Sequence, residues 1–418
     1  MKELKHKVIV IGGGAAGMIA AGVAAQQGAK VVLLEKNDRL GKKLAITGKG
    51  RCNVANCCSE EEVLKNVPRN SRFLFSALHV FPPDQVMEFF ESYGCRLKVE
   101  RGNRVFPESD KSASVIQALQ QFLKQEKVEI KRESAQELIV ENGEIRGVVT
   151  DQGVCYGRCV ILCTGGCSYP LTGSTGDGYR MAAAVGHSVV EPRGSLVPLE
   201  EAGSWCAKMQ GLSLRNVGVK LVNQKNKTVY EDFGELLFTH FGLSGPTILS
   251  SSAHMKAGDQ YRILIDLKPA LDEQKLDQRI LRDLEQYQNR TIENALQDLY
   301  PKTMIPVMVE RAEIPVDTKA NSLTKQQRRR LLELTKGFSV VISGTRPVSE
   351  AIITAGGIKT KEVDPKTMES KLVKGLYFAG EILDVDAYTG GFNLQIAWST
   401  GFAAGMAAGN HKLEESEA

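Results

Sequence analysis

The first apolar run, "VIVI" at 8–11, contains no polar residue and stops at "GGGAAG". An uninterrupted run of this kind marks a strand buried on both faces, as in a parallel sheet. Ala15 to Gln27 is alanine-rich and predicts a helix, and "AKVVLLE" at 29–35 predicts a second buried strand, completing a βαβ unit. A glycine- and lysine-rich loop fills 39–53, and helical patterns recur over 71–79, 83–93 and 112–126. Asn142-Gly143 between alternating apolar positions predicts a hairpin, and "CVILCTGG" at 159–166 a third buried strand that runs into glycines.

From about 192 the pattern changes. Segments at 195–200, 214–222, 235–238 and 261–267 predict short strands between polar turns, and charged helical stretches follow Pro269 over about 271–300 and 304–336. "FSVVIS" at 338–343 and "EAIITAGG" at 350–357 lead to "LYFAGE" at 376–381. The apolar stretch "LQIAWSTGFAAGMAAG" at 394–409 reads as a buried helix packed on a sheet. The simplest organisation is a Rossmann-like α/β domain, 1–191 and 356–418, interrupted by a mixed β-plus-helix insert at 192–355.

The length of 418 residues fits two cores better than one. With 42% hydrophobic and 24% charged residues the composition is that of a soluble globular protein. A net charge of +4 is small for the size, so nucleic acid is not expected as the main partner. The stretch at 394–409 is short for a bilayer and interrupted by Gly, Ser and Thr, so no membrane partner is expected either. The N-terminus lacks a signal-peptide apolar region, and nine cysteines suit a reducing cytoplasm.

Gly12, Gly14 and Gly17 form G-x-G-x-x-G between strand and helix, and Glu35 ends the second strand. The first glycine permits the turn, the second admits a pyrophosphate, the third lets helix meet strand, and the carboxylate can hold a ribose diol. Amides at Ala15 and Ala16 open the helix toward phosphate. An adenine dinucleotide follows. Beyond Glu35, Lys36, Lys43, Thr47, Gly48, Gly50, Arg51, Cys52 and Asn53 offer donors along a longer ligand, as in flavin enzymes of the glutathione-reductase type. An extended FAD needs a second anchor, and Cys163-Thr164-Gly165, Gly380-Glu381 and the helix start at Gly391, Asn393, Leu394 and Gln395 supply it. Ala135 joins them at the head of the hairpin. Amides at that helix start would stabilise negative charge on reduced flavin.

"TGKGRCN", "CTGGCSYPLTGSTGDGY", "LLFTHFGLSGP" and "GLYFAGEILDVDAYTGGFNLQIA" together resemble the BaiN-like (YhiN-like) flavoproteins, which include aminoacetone oxidases. The resemblance runs over about 6–409. It implies FAD, a Rossmann-like domain of the glutathione-reductase type with an insert, and an NAD(P)/FAD-dependent oxidoreductase acting on a small organic molecule. One departure is Cys163, where many flavoproteins carry Ala.

Cys155, Cys159, Cys163 and Cys167 recur every four residues but match no metal-ligand spacing and read as small buried hydrophobes; no metal is expected. Cys57-Cys58, with Cys52 nearby, reads as free thiols on a loop, against a redox-active role beside a flavin. His240 in "THFGLSGP" and Tyr169 after "GGCS" are candidate catalytic groups, against purely structural roles. The basic "KQQRRRLLELTK" at 325–336 reads as an amphipathic helix with a solvated face. No second G-x-G-x-x-G follows the first, so oxygen, NAD(P)H without a dedicated domain, or another donor remains open as redox partner. An FAD-binding module acting through an RNA or protein partner is the competing function.

Overall fold

The computed structural model describes residues 7–256 and 258–411. The chain divides into two compact units, one running to Ser195 and resuming at Val348, the other spanning Leu196–Pro347. Each has its own apolar core.

The first unit is built on a five-stranded parallel sheet. β1 (Lys7–Ile11) lies between β2 (Lys30–Leu34) and Cys159–Leu162; Leu376–Phe378 and Glu129–Lys131 form the edges. Ile11 stands opposite both Leu34 and Leu162, Leu162 opposite Phe378, and Leu34 opposite Lys131, so all five strands end at one level. The chain's far end thus supplies an edge strand beside its beginning, and the turns leaving these strand ends form a ligand-facing crest. The hairpin appears as expected, Ala135–Glu141 against Glu144–Thr150, with Asn142 and Gly143 both left-handed at φ 53° and 76°.

The glycine turn is dictated by packing. A Cβ at Gly12 would lie 2.5 Å from the Cys163 carbonyl oxygen, and one at Gly17 only 1.8 Å from the Gly12 carbonyl oxygen. Those two positions let α1 (Ala15–Gln26) sit directly on β1.

The final helix, Phe392–Gly409, is buried as expected; it touches the sheet strands Cys159–Leu162 and Leu376–Phe378 but packs chiefly against α1. Gly401, Gly405 and Gly409 ride on Ala16, Ala20 and Ala24; Cβ atoms there would fall 2.5, 2.6 and 2.8 Å from those carbonyl oxygens. Small residues at four-residue spacing bring the two backbones close enough to bury the helix, which explains its lack of a polar stripe.

The second unit is a closed six-stranded barrel, in the order Leu199–Glu201, Gly242–Ser244, Thr228–Phe238, Ser213–Asn223, Tyr261–Asp266 and Phe338–Thr345. The stretch expected to be helical over 271–300 resolves into Glu273–Gln286 and Ile292–Ala295. That at 304–336 resolves into Ile305–Arg311 and Lys325–Lys336, interrupted where Glu313 turns left-handed and Pro315 removes an amide donor. Ile353–Ile358 belongs to the first unit, paired with Val189–Ser195.

Candidate functional site

At the crest of the sheet, Gly14 is the N-cap of α1, and nothing lies within 4 Å of the position its Cβ would take. Met18 N–H makes the first intrahelical bond, to the Gly14 carbonyl, so the amides of Ala15, Ala16 and Gly17 point outward without a helical partner. Glu35, almost fully buried, faces this turn. Its Oε2 accepts from Gly13 N at 2.7 Å, and its Oε1 accepts from Asn37 N at 2.8 Å and Nδ2 at 2.7 Å. The carboxylate is therefore fixed across the turn, with acceptor capacity left on Oε2.

Segment 169–177 is strapped to the end of β2. Asn37 Nδ2 also donates to the Thr172 carbonyl at 3.1 Å, and Lys36 Nζ donates to Thr175 Oγ1 at 2.7 Å and Asp177 Oδ2 at 2.6 Å. Burial pushes the Asp177 carboxyl up, but hydrogen bonds from Lys36 and Thr175 outweigh it and hold the group below its usual value. Tyr169 opens this segment in a left-handed conformation, φ 52°, half-buried, its N–H on the Ser349 carbonyl.

A second polar cluster ties four segments together. Glu381 Oε2 accepts from Lys43 Nζ at 2.6 Å; Oε1 accepts from Ser168 Oγ and Thr354 N, both at 2.9 Å. Lys43 Nζ also reaches Ser168 Oγ at 2.6 Å, and Thr354 Oγ1 accepts from the amides of Cys167 and Ser168. Ser168 and Thr354 escaped the sequence reading; the available signal was a hydroxyl residue one position removed from a Gly-Gly pair in each case. Gly380 is left-handed, φ 79°, as is Gly165, φ 73°.

Thr47–Asn53 forms a tight loop in which Gly48, Lys49, Gly50 and Cys52 all have positive φ. Thr47 Oγ1 donates to the Leu44 carbonyl. Arg51 turns away from these groups: its guanidinium pairs with Glu100 and Asp110 and lies over the Phe106 ring. Ala135 is half-buried and pairs with Thr150. Cys163 is buried, its N–H on the Ile11 carbonyl.

At the final helix, Gly390 and Gly391 are left-handed at φ 131° and 101°. A Cβ at Gly391 would fall 2.3 Å from the Ala55 carbonyl oxygen, so protein backbone itself demands this glycine. Gln395 N–H donates to the Gly391 carbonyl, so its amide is not among the free ones, contrary to expectation; those are Phe392, Asn393 and Leu394. The Asn393 side chain braces the preceding loop, accepting from Ala387 N and donating to the Ala387 carbonyl, which leaves only its backbone amide for a ligand.

Three segments of this crest each bury a polar atom with no partner among the described residues: Asn53 Oδ1, Thr164 Oγ1 and Gln395 Oε1. The Gln395 Nε2 is satisfied by the Phe81 carbonyl and Ser399 Oγ, which fixes the orientation of its unpartnered oxygen. An orphaned buried polar atom costs about 1–3 kcal/mol. Three of them on the loop after β2, the Thr-Gly-Gly turn and the final helix fit an extended ligand rich in polar edges, as FAD is.

The remaining sequence candidates fall outside this cluster. His240 is exposed in the second unit, its ring edge-on to Phe241 at 5.0 Å. Burial pushes the Cys52 thiol up to about 12 and Cys58 up to about 11, and raises Cys159 and Cys163 as well, so these cysteines carry no ready thiolate. No metal-type cluster of His, Cys, Asp or Glu occurs among the described residues. His187 sits between Ser370 Oγ (2.7 Å) and Glu362 (3.4 Å) in the order of a catalytic relay, but it is buried and Ser370 Oγ accepts the amides of Leu372 and Val373, so the arrangement is structural. On Lys325–Lys336, Arg328, Arg329 and Arg330 pair with Asp277, Glu333 and Glu313. No described helix is long and apolar enough to cross a membrane.

Residues 6–407 match the model of the HI0933-like protein Rossmann domain. The chain is 32% identical over 412 residues to a 3-dehydro-bile acid delta(4,6)-reductase from Clostridium scindens, covering 96% of this chain and 99% of that one. It is 30% identical over 401 residues to a ribosomal RNA dihydrouridine synthase from Escherichia coli, covering 96% and 97%. Among solved structures, a 3-ketosteroid delta1-dehydrogenase from Sterolibacterium denitrificans shares the fold, with a TM-score of 0.51 at 16% identity over 97% of this chain and all of that one. The chain belongs to the HI0933-like family and is an FAD-dependent oxidoreductase.

Proposed function

We propose that this enzyme reduces a carbon–carbon double bond conjugated to a carbonyl, drawing its electrons from NAD(P)H. The observation that carries the cofactor half is the trio of orphaned polar atoms on Asn53, Thr164 and Gln395. The substrate half rests on what the two curated relatives' names have in common. A delta(4,6) bile acid with a 3-oxo group and a uracil ring both present an alkene polarised by a carbonyl. Either accepts a hydride at the β-carbon and a proton at the α-carbon, losing its π bond.

Bound FAD supplies that hydride at N5. The chain's own residues do the rest. Amides of Ala15, Ala16 and Gly17 receive the pyrophosphate at the positive end of α1, and Glu35 receives the ribose diol. Asn53, Thr164 and Gln395 meet the polar edges farther along, and the amides of Phe392, Asn393 and Leu394 favour negative charge at the flavin ring. Lys36, Lys43 and Glu381 brace the cradle walls, since each already has an internal partner. Tyr169, on the segment strapped to the end of β2, is our candidate for delivering the proton.

Holoprotein supplied anaerobically with NADPH or NADH and a panel of enones tests the reading. A product two hydrogens heavier than the starting enone supports it; a uracil-containing RNA oligomer in the same panel asks whether the alkene lies in a nucleobase. Turnover of saturated amines or alcohols alone, with every enone recovered, would overturn it.

A further inference from the structure

The first unit carries an open groove of about 510 Å³, within the size range of small-ligand sites. Arg72 and Phe73 line one side; Lys361, Val363 and Lys371 line the other. Arg72, Lys361 and Lys371 are exposed, and none enters an ion pair among the described residues. Lys371 Nζ donates to the Lys361 carbonyl at 3.1 Å, which fixes the Lys371 ammonium beside the Lys361 backbone.

Of the acids nearby, Asp384 accepts from the rim's Asn70 Nδ2 at 3.0 Å, and three others are turned onto backbone amides. Glu362 accepts from Ser188 N at 2.8 Å, Asp364 from Lys366 N at 2.8 Å and Thr367 N at 3.2 Å, and Glu369 from Gly375 N at 2.8 Å. The groove thus combines three available cations, no carboxylate among its lining residues, and one half-buried aromatic ring packed on the core.

That combination has a specific chemical meaning. A ribose 2′-hydroxyl is met by a carboxylate, as Glu35 is placed to do beside the glycine turn, whereas a 2′-phosphate is met by basic groups. We propose that this groove binds the adenosine 2′-phosphate end of NADPH, with Arg72, Lys361 and Lys371 on the phosphates and Phe73 against the adenine. The inference rests on the reading of NAD(P)H as electron donor. It accounts for how a chain with a single dinucleotide fingerprint takes a second dinucleotide, on a surface groove without a dedicated domain. The groove also borders the flavin-end loop, because Asn70 on its rim donates to the Asp384 carbonyl at 2.7 Å, six residues before Gly390. An RNA strand would call for a longer basic track than three cations in one groove, and for more net charge than +4.

Calorimetric titration of the holoprotein with adenosine 2′,5′-bisphosphate, which carries no hydride, tests the site apart from any turnover. We expect it to bind about tenfold tighter than 5′-AMP, reflecting the added charge-assisted bonds. Lys361→Ala and Lys371→Ala should each weaken it by about fivefold, at the upper end for exposed pairs. The same variants should weaken NADPH but not NADH, and leave flavin content and thermal midpoint unchanged. Equal affinity for 5′-AMP and the bisphosphate, or variants that bind as tightly as wild type, would overturn the proposal. So would an oligoribonucleotide that binds through these lysines and is not displaced by the bisphosphate. If enones are not reduced but these outcomes hold, the groove stands and the reaction assignment falls.

Discussion

Glu35 holds two jobs at once: it locks the glycine turn through Gly13 N and Asn37, and it presents its remaining acceptor capacity where a ribose would lie. Glu35→Ala should weaken FAD binding by about 1.5–3 kcal/mol, the value of a charge-assisted hydrogen bond. Titration of apoprotein measures this, and unchanged affinity would remove Glu35 from the ribose. Lys43 and Glu381 form a pair with side chains only 21% and 12% exposed. Lys43→Met should cost about 2–4 kcal/mol in denaturant unfolding, because it leaves a carboxylate largely out of water without its cation. Adding Glu381→Gln should restore part of that loss; strictly additive effects would mean that the two residues do not act together. Glu35 was legible in the sequence because its spacing from the glycines is local and fixed by one βαβ unit. Ser168 and Thr354 were not, because Ser168 meets Lys43, Glu381 and Thr354 only after segments more than a hundred residues apart converge.

At the scale of elements, strand runs and helix starts announced themselves where apolar periodicity was strong, as in β1, β2 and the Asn-Gly hairpin. The partner of the final helix did not. Its evenly apolar composition fits any buried surface, and only the Gly401, Gly405 and Gly409 spacing against α1 alanines decides which. Gly405→Leu should therefore separate the two helices, lowering stability by about 1–3 kcal/mol through overpacking, with reduced FAD content as α1 shifts. A variant as stable as wild type and fully loaded with flavin would contradict this contact. At the helix start, Gly391→Val combines a backbone conformation that valine resists with a clash on Ala55. Displacement of the amides beyond it should lower the flavin midpoint potential more than it lowers FAD affinity; spectroelectrochemical titration reads the first and apoprotein titration the second. The barrel of the second unit was legible only as separate strands, since closure depends on pairing Leu199–Glu201 with Phe338–Thr345 across almost the whole unit.

For the whole molecule, the far end of the chain returns to complete the sheet that its first strand began, so one extended cofactor can be held by residues from both ends. FAD should be bound without a covalent link: acid precipitation should release the yellow colour into the supernatant, and colour retained in the pellet would argue for covalent attachment. The central claim, that reducing equivalents pass from FAD to an alkene conjugated with a carbonyl, is tested most directly without any pyridine nucleotide. Holoprotein photoreduced under argon is mixed with an enone in a stopped-flow cell while the visible flavin band is followed. The account predicts that the oxidised band returns at a rate that rises with enone concentration, with one saturated ketone formed per flavin. Flavin that stays reduced with every enone offered, yet reoxidises at once when air is admitted, would contradict it.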